Sequence, residues 1–304
     1  ARSAEVSKVQ PSTATTVPIR GLDYHVRTWG DASAPTLFML HGWMDVGASF
    51  QFLIDALTRD WRVIAPDWRG FGGSTWSPDG YWFADYLADL DALLDHFEPH
   101  APVRLVGHSL GGNVVMLYAG VRPQRVARVV SLEGFGIPAE AADAAPDKYV
   151  RWLDALKDPP RFRPYASLAA VADQLQKNNP RLARDRAEFL AAHWAVMEPG
   201  GNARLASDPR HKLPFPLVYR MEEVFAIWKR ITAPVLWVAA TESFIPRWLG
   251  GHPEGEAATD SLAGVRARLE QVPHGRLVTI EKAGHMLHLD RPDAVAGAIE
   301  PFLL

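Results

Sequence analysis

Cysteine is absent from the 304 residues of the chain. This absence excludes disulfide bonds, thiolate metal ligands and cysteine nucleophiles. It leaves the redox compartment open, because a protein without thiols is compatible with an oxidising or a reducing environment.

Long apolar runs and a signal peptide are also lacking. No stretch of about 18 apolar residues occurs, so no transmembrane helix is predicted. Residues 1–18 are polar, rich in Ser and Thr, and without the apolar core of a signal peptide, and we expect them to form a flexible extension. We therefore expect a cytoplasmic protein, while a first residue of Ala1 rather than Met leaves a removed leader open.

Clusters of basic residues are the third absence. The formal net charge is -3 at pH 7, and no block of Lys or Arg stands out. Such a composition does not suggest a nucleic-acid partner. We expect the partner to be a small, mostly uncharged molecule, and the sequence leaves the oligomeric state open.

Short apolar runs that end at Gly or Pro alternate with helical patterns in the first part of the chain. This alternation is typical of an α/β sheet whose parallel strands are covered on both faces. An amphipathic helix is predicted over residues 82–97 and a buried helix over residues 113–119. The predicted strands are Leu22–Trp29, Thr36–Leu40, 62–65, 103–106, Val126–Leu132, 235–238 and 276–280.

The strand pattern is interrupted between residues 135 and about 230. No strand is predicted there, and prolines separate the helical stretches. We interpret this segment as a helical insertion into a core formed by residues 1–134 and 233–304. The predicted helices of the insertion are 147–156, 167–176, 184–197 and Met221–Trp228, and a final helix of the core is Pro292–Leu303.

The strongest chemical signal is a G-x-S-x-G motif at residues 107–111. It follows a predicted strand and precedes a predicted helix, which is the setting of a nucleophile on a tight strand-to-helix turn. Gly107 and Gly111 allow close approach of strand and helix, so Ser109 can project from the sheet. The N–H of Leu110 would then face an oxyanion formed over that serine.

A serine hydroxyl needs a base to act as a nucleophile near neutral pH. His285 follows the last predicted strand and lies before the last helix, on a loop that opens at the same sheet edge as Ser109. His288 is a rival close by. The Ala283-Gly284 pair places His285 at the loop tip, which favours it as the base.

A carboxylate should orient that imidazole and stabilise its protonated form. Glu133 and Glu242 both follow predicted strands, at the edge where α/β active sites assemble. Their position favours Glu133, and Glu242 remains the alternative.

A second oxyanion donor is expected from the loop at residues 41–44. Gly42 allows the backbone to turn, and the N–H of Trp43 is the predicted donor. We expect His41 to brace this loop rather than to transfer a proton.

Eleven tryptophans are a high number for this length. Large aromatic side chains often line apolar ligand pockets, although each of them can equally pack in a core. The residues predicted to line a substrate pocket are Met44, His108, Phe135, Trp152 and Trp194.

These elements, in this order, resemble the α/β-hydrolase superfamily over residues 21–304. The resemblance implies a mostly parallel eight-stranded sheet flanked by helices, with a helical cap inserted after the sixth strand. The cap would correspond to residues 135–232. The matching pieces are residues 41–42, 67–74, 107–112 and 284–285.

Within the superfamily, residues 41–45 and 132–136 resemble the capped serine-hydrolase-like carboxylesterases. Epoxide hydrolases and haloalkane dehalogenases look similar but carry an aspartate as nucleophile, where this chain has Ser109. Superfamily members take the acid after the sixth or the seventh strand, which match Glu133 and Glu242. An Ala239-Ala240 pair stands where a Gly-containing turn is usual at the second position, and this also favours Glu133.

The resemblance therefore implies hydrolysis of carboxylic esters through Ser109, His285 and Glu133, by way of an acyl-enzyme. No metal and no organic cofactor is expected. The same machinery would serve a lactonase, a thioesterase or an acyltransferase. A ligand receptor with slow or absent hydrolysis is the alternative from another class of protein.

Overall fold

A computed structural model describes residues 9–249 and 261–304. Residues 1–8 of the expected extension and residues 250–260 of the expected core lie outside the described residues. The strands are β1 (Ser12–Ile19), β2 (Leu22–Trp29), β3 (Thr36–Leu40), β4 (Arg62–Pro66), β5 (Val103–His108), β6 (Val126–Leu132), β7 (Ala195–Met197), β8 (Ala203–Leu205), β9 (Val235–Ala240) and β10 (Gly275–Ile280).

Helices alternate with most of these strands. None of them, within the described part of the chain, is long and apolar enough to cross a membrane. The helices are α1 (Gln51–Ala56), α2 (Phe83–Phe97), α3 (Leu110–Val121), α4 (Ala145–Lys157), α5 (Leu168–Asn178), α6 (Arg184–Trp194), α7 (Met221–Trp228), α8 (Ile245–Trp248), α9 (Ala263–Leu269), α10 (Leu287–Asp290) and α11 (Pro292–Leu303).

The main sheet has eight strands in the order β1-β2-β4-β3-β5-β6-β9-β10. Strand β2 is antiparallel to β1 and to β4, and the other neighbouring pairs are parallel. The expected mostly parallel eight-stranded sheet with a helical insertion after its sixth strand is therefore confirmed.

Two apolar layers cover the sheet, because successive side chains of a strand point to opposite faces. Phe38 and Leu40 of β3 pack with α2, α3 and α7. Leu37 and Met39 of the same strand pack with α1 and α11 on the other face. Every one of these four side chains is fully buried, which explains why the strand reads as a continuous apolar run.

The N-terminal segment is more ordered than expected. Strand β1 pairs with β2 along its whole length, from Ser12 opposite Trp29 to Ile19 opposite Leu22. The expectation of a flexible extension over residues 1–18 is therefore wrong from Ser12 onward. Backbone hydrogen bonds along the edge of the sheet hold this segment, and only Val17 and Ile19 bury their side chains fully.

The insertion contains a short β-hairpin as well as helices. Strands β7 and β8 pair antiparallel, so the expectation that residues 135–230 hold no strand is wrong. The helix expected over residues 184–197 ends at Trp194, where β7 begins. Gly200 and Gly201 have φ of 110° and 92°, and such a backbone reverses the chain after Pro199.

The two sides of the insertion are attached to the core differently. Residues 206–208 pair with the loop at 70–72, where the Gly72 N–H donates to the Ala206 carbonyl at 2.6 Å and the Asp208 N–H to the Gly70 carbonyl at 2.9 Å. Helix α4 instead has no fully buried residue. Its apolar side chains Tyr149, Val150, Leu153 and Leu156 are exposed.

Candidate active site

Ser109 lies on the turn between β5 and α3, as the motif predicts. Its φ of 52° and ψ of -113° are strained for a residue with a side chain. The Ser109 N–H donates to the Leu132 carbonyl at 2.8 Å, and its carbonyl accepts from the Asn113 N–H at 2.9 Å. The turn is thus fixed on both sides, and the hydroxyl stands clear of the sheet.

The two glycines of the motif are required by close backbone approach. A Cβ on Gly107 would lie 2.2 Å from the Gly111 carbonyl oxygen, and one on Gly111 would lie 2.1 Å from the Leu40 carbonyl oxygen. Neither contact is sterically possible. The two glycines therefore allow α3 to pack directly against β3 and β5, beneath the serine.

The imidazole of His285 lies over Ser109. Its Nε2 is 3.0 Å from the Ser109 Oγ, which is hydrogen-bond distance. The loop after β10 holds it there, since the Gly284 N–H donates to the Asp290 carboxylate at 2.8 Å. The ring of Phe244 covers one side, at 5.1 Å between ring centroids.

The other ring nitrogen of His285 faces Glu133. The Nδ1 to Oε2 distance is 3.4 Å, which is long for a hydrogen bond in the resting site. Glu133 is fully buried and accepts from the Ala240 N–H at 2.6 Å and from the Ser243 hydroxyl. These two donors stabilise the carboxylate and fix its direction toward the imidazole.

Glu242, the alternative acid, points elsewhere. Its side chain is 48% exposed and forms an ion pair with Arg181. Its N–H donates to the Ala283 carbonyl at 2.9 Å, so it helps to hold the loop that carries His285. The structure brings Glu133, and not Glu242, to the ring of that histidine.

The loop at residues 41–44 packs against Ser109. A Cβ on Gly42 would lie 3.1 Å from the Ser109 Cβ, so the loop backbone passes directly beside the serine. The Trp43 indole N–H donates to the His211 carbonyl at 3.3 Å. Leu110 opens α3, and the first N–H groups of a helix have no acceptor within that helix.

His41 braces this loop from below. Its Nε2 accepts from the Trp68 N–H at 2.8 Å, and its carbonyl accepts from the Trp68 indole N–H at 2.9 Å. Burial lowers the pKa of His41 to about 4, so the ring is neutral near neutral pH. These contacts fit the bracing role expected from the sequence.

A cavity of about 1120 Å³ opens above Ser109 and His285, between the core and the insertion. Met44, His108 and Trp194 line it, as expected for a substrate pocket. Phe135 and Trp152 are not among its lining residues, so the prediction that these two residues line the pocket is wrong.

Both of these aromatic residues pack against other aromatic rings instead. Phe135 is fully buried and lies against Trp237, with 4.9 Å between ring centroids. Trp152 of α4 makes an edge contact with Trp82 at 6.3 Å. Phe135 therefore packs in the core, which is the other use of an aromatic side chain. Trp152 instead forms a contact between the cap and the core.

A buried polar cluster of Asp45, His108 and His288 lies at the cavity floor, where Asp45 and His108 are lining residues. Each offers one atom, and the three atoms lie within 4.8 Å of one another, so the cluster could hold a metal ion. Asp45 Oδ2, His108 Nδ1 and both ring nitrogens of His288 have no hydrogen-bond partner among the described residues. Sequence reasoning, which expected no metal, missed this cluster because its members are far apart in the chain.

Burial sets the protonation of the cluster. It raises the pKa of Asp45 to about 6 and, together with His285, lowers the pKa of His288 to about 3. Burial and the two neighbouring histidines also hold the pKa of His108 well below its usual range. His288, the rival base, is therefore a buried neutral ring packed on His108 at 4.3 Å, whereas His285 contacts the serine.

Three contributors to the site had no signal in the sequence reasoning. Ser243 and the Ala240 N–H hold Glu133, and Phe244 covers His285. They come from the end of β9 and the turn that follows it. Only the adjacency of β6 and β9 in the sheet brings these residues to Glu133.

The fold and these contacts define a class of protein: α/β enzymes that hold a serine on a strand-to-helix turn beneath an imidazole. The α/β-hydrolase fold family matches residues 35–292, and the chain belongs to that family. It is thus a hydrolase of the family that includes esterases and lipases.

Similar proteins cover nearly the whole chain. A serine hydrolase-like protein of Danio rerio is 25% identical over 298 residues, which are 94% of this chain and 87% of that protein. An sn-1-specific diacylglycerol lipase of Mus musculus is 26% identical over 285 residues, 90% of this chain and 82% of the lipase. The thioesterase domain from the curacin biosynthetic pathway has a TM-score of 0.80 at 23% identity, over 95% and 99% of the two chains, and this likeness shows the fold alone.

Proposed function

We propose that the protein hydrolyses carboxylic esters by transferring the acyl group to Ser109. The observation that carries the proposal is the 3.0 Å contact between the Ser109 Oγ and the His285 Nε2, with the Glu133 carboxylate facing the other ring nitrogen. This is the geometry of a nucleophile, its base and the acid that orients the base.

The reaction runs in two acyl-transfer steps. The Ser109 Oγ attacks the ester carbonyl while His285 Nε2 takes the hydroxyl proton, and the N–H groups of Trp43 and Leu110 hold the oxyanion. The carbon–oxygen bond to the leaving group then breaks, and His285 returns its proton to the departing alcohol. Water repeats the sequence on the acyl-enzyme and releases the acid and free serine.

The negative charge of the Glu133 carboxylate promotes the proton transfers to and from His285. It accepts the Nδ1–H of His285, which leaves Nε2 free as the proton acceptor. Its negative charge also stabilises the imidazolium that forms in each step. The 3.4 Å contact in the resting site is expected to shorten when that positive charge develops.

The proposal is tested with Ser109→Ala on p-nitrophenyl esters of short acids. We expect kcat to fall by at least about 10⁴-fold, since loss of the nucleophile removes the acyl-enzyme route. Ser33→Ala, at an exposed turn where the hydroxyl donates a hydrogen bond to the Asp31 carboxylate, is the control and should keep the wild-type rate. A Ser109→Ala enzyme that turns over at the wild-type rate would overturn the proposal, as would a fluorophosphonate adduct on another residue.

A further inference from the structure

Cationic side chains line the mouth of the cavity. Arg161, Arg163 and Lys212 are all lining residues, and all three belong to the insertion. Each is exposed, and none has an ion-pair partner among the described residues. Their charges are thus available to a ligand in the cavity.

The carboxylates of the cavity do not balance these charges. The lining includes two, Asp45 and Glu133, and both are buried at the floor. Glu133 is occupied by its two donors and His285, and Asp45 accepts from Ser49, the Val46 N–H and Trp194. The mouth is therefore positive, although the chain as a whole has a net charge of -3.

Ordered backbone carries the three cations. Tyr165, two residues after Arg163, exchanges two hydrogen bonds of 2.8 Å with Ala203. Lys212 ends a short helical turn, and its neighbour His211 stacks on the ring of Tyr81 at 3.6 Å between centroids. The chain next to Arg163 and Lys212 is therefore held in place beside the cavity.

Aromatic side chains line the same cavity as the cations and Ser109. Phe162 and Phe215 are lining residues, and Trp194 lines the cavity beside Asp45. The Lys212 Nζ lies 4.9 Å from the centroid of the Phe162 ring, so the ammonium is oriented over an apolar surface. An apolar linker fits this stretch, and an anion fits its outer end.

We propose that the cavity selects substrates that carry an anionic group, a carboxylate or a phosphate, at the end remote from the scissile ester. The anion binds at Arg161, Arg163 and Lys212 while the carbonyl lies at Ser109. The inference rests on the ester hydrolysis proposed above and adds its substrate class. It replaces the uncharged partner expected from the net charge, because a net charge averages over the chain and does not describe one cavity.

The experiment compares matched esters. Mono-p-nitrophenyl esters of dicarboxylic acids of increasing length are paired with neutral p-nitrophenyl esters of the same length, and a third series carries a terminal phosphate. The measured quantity is the ratio of kcat/KM for the anionic ester to kcat/KM for the neutral one. In the wild type we expect this ratio to exceed one at the length that reaches the cations and to fall with added salt.

Neutralising the cations tests their part in the selection. The triple variant Arg161→Gln, Arg163→Gln and Lys212→Gln should lower the ratio by about tenfold, since each exposed charge pair contributes only a small factor to binding. The control removes three cap cations that do not line the cavity, Arg151, Lys229 and Arg230, and should leave the ratio unchanged.

The outcomes separate the two proposals. A ratio that is the same in the wild type and the cavity triple variant overturns the anion site, while neutral esters hydrolysed through Ser109 leave the proposed function intact. A preference for the carboxylate or for the phosphate series identifies the source of the anion. If no ester is hydrolysed, the proposed function fails, and the anion site fails with it as a site for substrate.

Discussion

Replacing Glu133 with glutamine removes the charge beneath His285 and keeps the shape of the side chain. The amide oxygen can still accept the Ala240 N–H, which lies 2.6 Å from the present carboxylate. The amide nitrogen then faces the Nδ1 of His285 and donates to it. The imidazole must now carry its proton on Nε2, and in that tautomer it cannot accept the proton of Ser109.

The expected loss in kcat for Glu133→Gln is about 10³- to 10⁴-fold, because the analogous loss of the triad carboxylate in serine proteases costs about 10⁴-fold. That corresponds to about 4 to 5.5 kcal/mol of activation free energy. The assay is steady-state hydrolysis of a p-nitrophenyl ester under substrate saturation. Thermal unfolding of the same sample checks that the buried substitution has left the fold intact.

Glu242→Gln is the matched control. This carboxylate is half exposed and pairs with Arg181, and such pairs contribute less than about 1 kcal/mol to stability. Because Glu242 does not contact His285, we expect kcat to stay within about twofold of the wild type. A large loss in Glu242→Gln with normal turnover in Glu133→Gln would refute the assignment of the acid.

Two further predictions concern stability. Because burial raises the pKa of Asp45 from 3.8 to about 6, the folded state binds this proton more tightly, and the stability that Asp45 contributes is lost as pH rises from about 4 to 6. Asp45→Asn should match the wild type near pH ~4 and gain up to about 3 kcal/mol in free energy of unfolding at about pH 8, measured by urea denaturation; equal differences at both pH values would contradict this. Gly111→Ala should lose about 3 kcal/mol or more, because its Cβ would lie 2.1 Å from the Leu40 carbonyl oxygen. Gly297→Ala, on the exposed side of α11 with no atom within 4 Å of the new Cβ, should instead gain up to about 1 kcal/mol, and similar melting temperatures for the two glycine variants would count against the packing argument.

The placement of Ser109 on a strand-to-helix turn and of His285 on the loop after the last strand was predictable, because the signals for both are local. Glycine is required at positions 107 and 111, because a Cβ there would lie only 2.2 and 2.1 Å from a backbone carbonyl oxygen. The motif therefore reflects a steric requirement. The loop that carries His285 follows a strand with ordinary apolar patterning. Distances between the side chains were not predictable, since the relevant residues are 176 positions apart.

Which of the two glutamates lies beside His285 was not predictable without the structure. Glu133 and Glu242 follow neighbouring strands of the sheet, so strand position alone does not separate them. Side-chain direction does: Glu133, with φ of 57°, turns into the sheet edge, while Glu242 turns toward Arg181. A sequence carries no reliable sign of that local backbone choice.

The missed strands have a different cause. In β1 four consecutive side chains, residues 13–16, are exposed, so the segment has the polar composition of a linker. Its Thr and Val residues were the available signal, since β-branched residues favour strands. The β7–β8 hairpin also had a signal in the sequence, because a Pro-Gly-Gly sequence at residues 199–201 is typical of a chain reversal.

The unequal attachment of the insertion has a mechanical consequence. Residues 206–208 are paired with the loop at 70–72, whereas α4 is held by few buried contacts. We therefore expect the α4 side of the insertion to move more easily than the side that contains residues 206–208. Movement of α4 does not break the backbone hydrogen bonds that join residues 206–208 to the loop at 70–72. We therefore expect substrates to enter and products to leave past α4. The side of the insertion that is paired with the loop at 70–72 would stay in place during this movement, together with Trp43 and the cations.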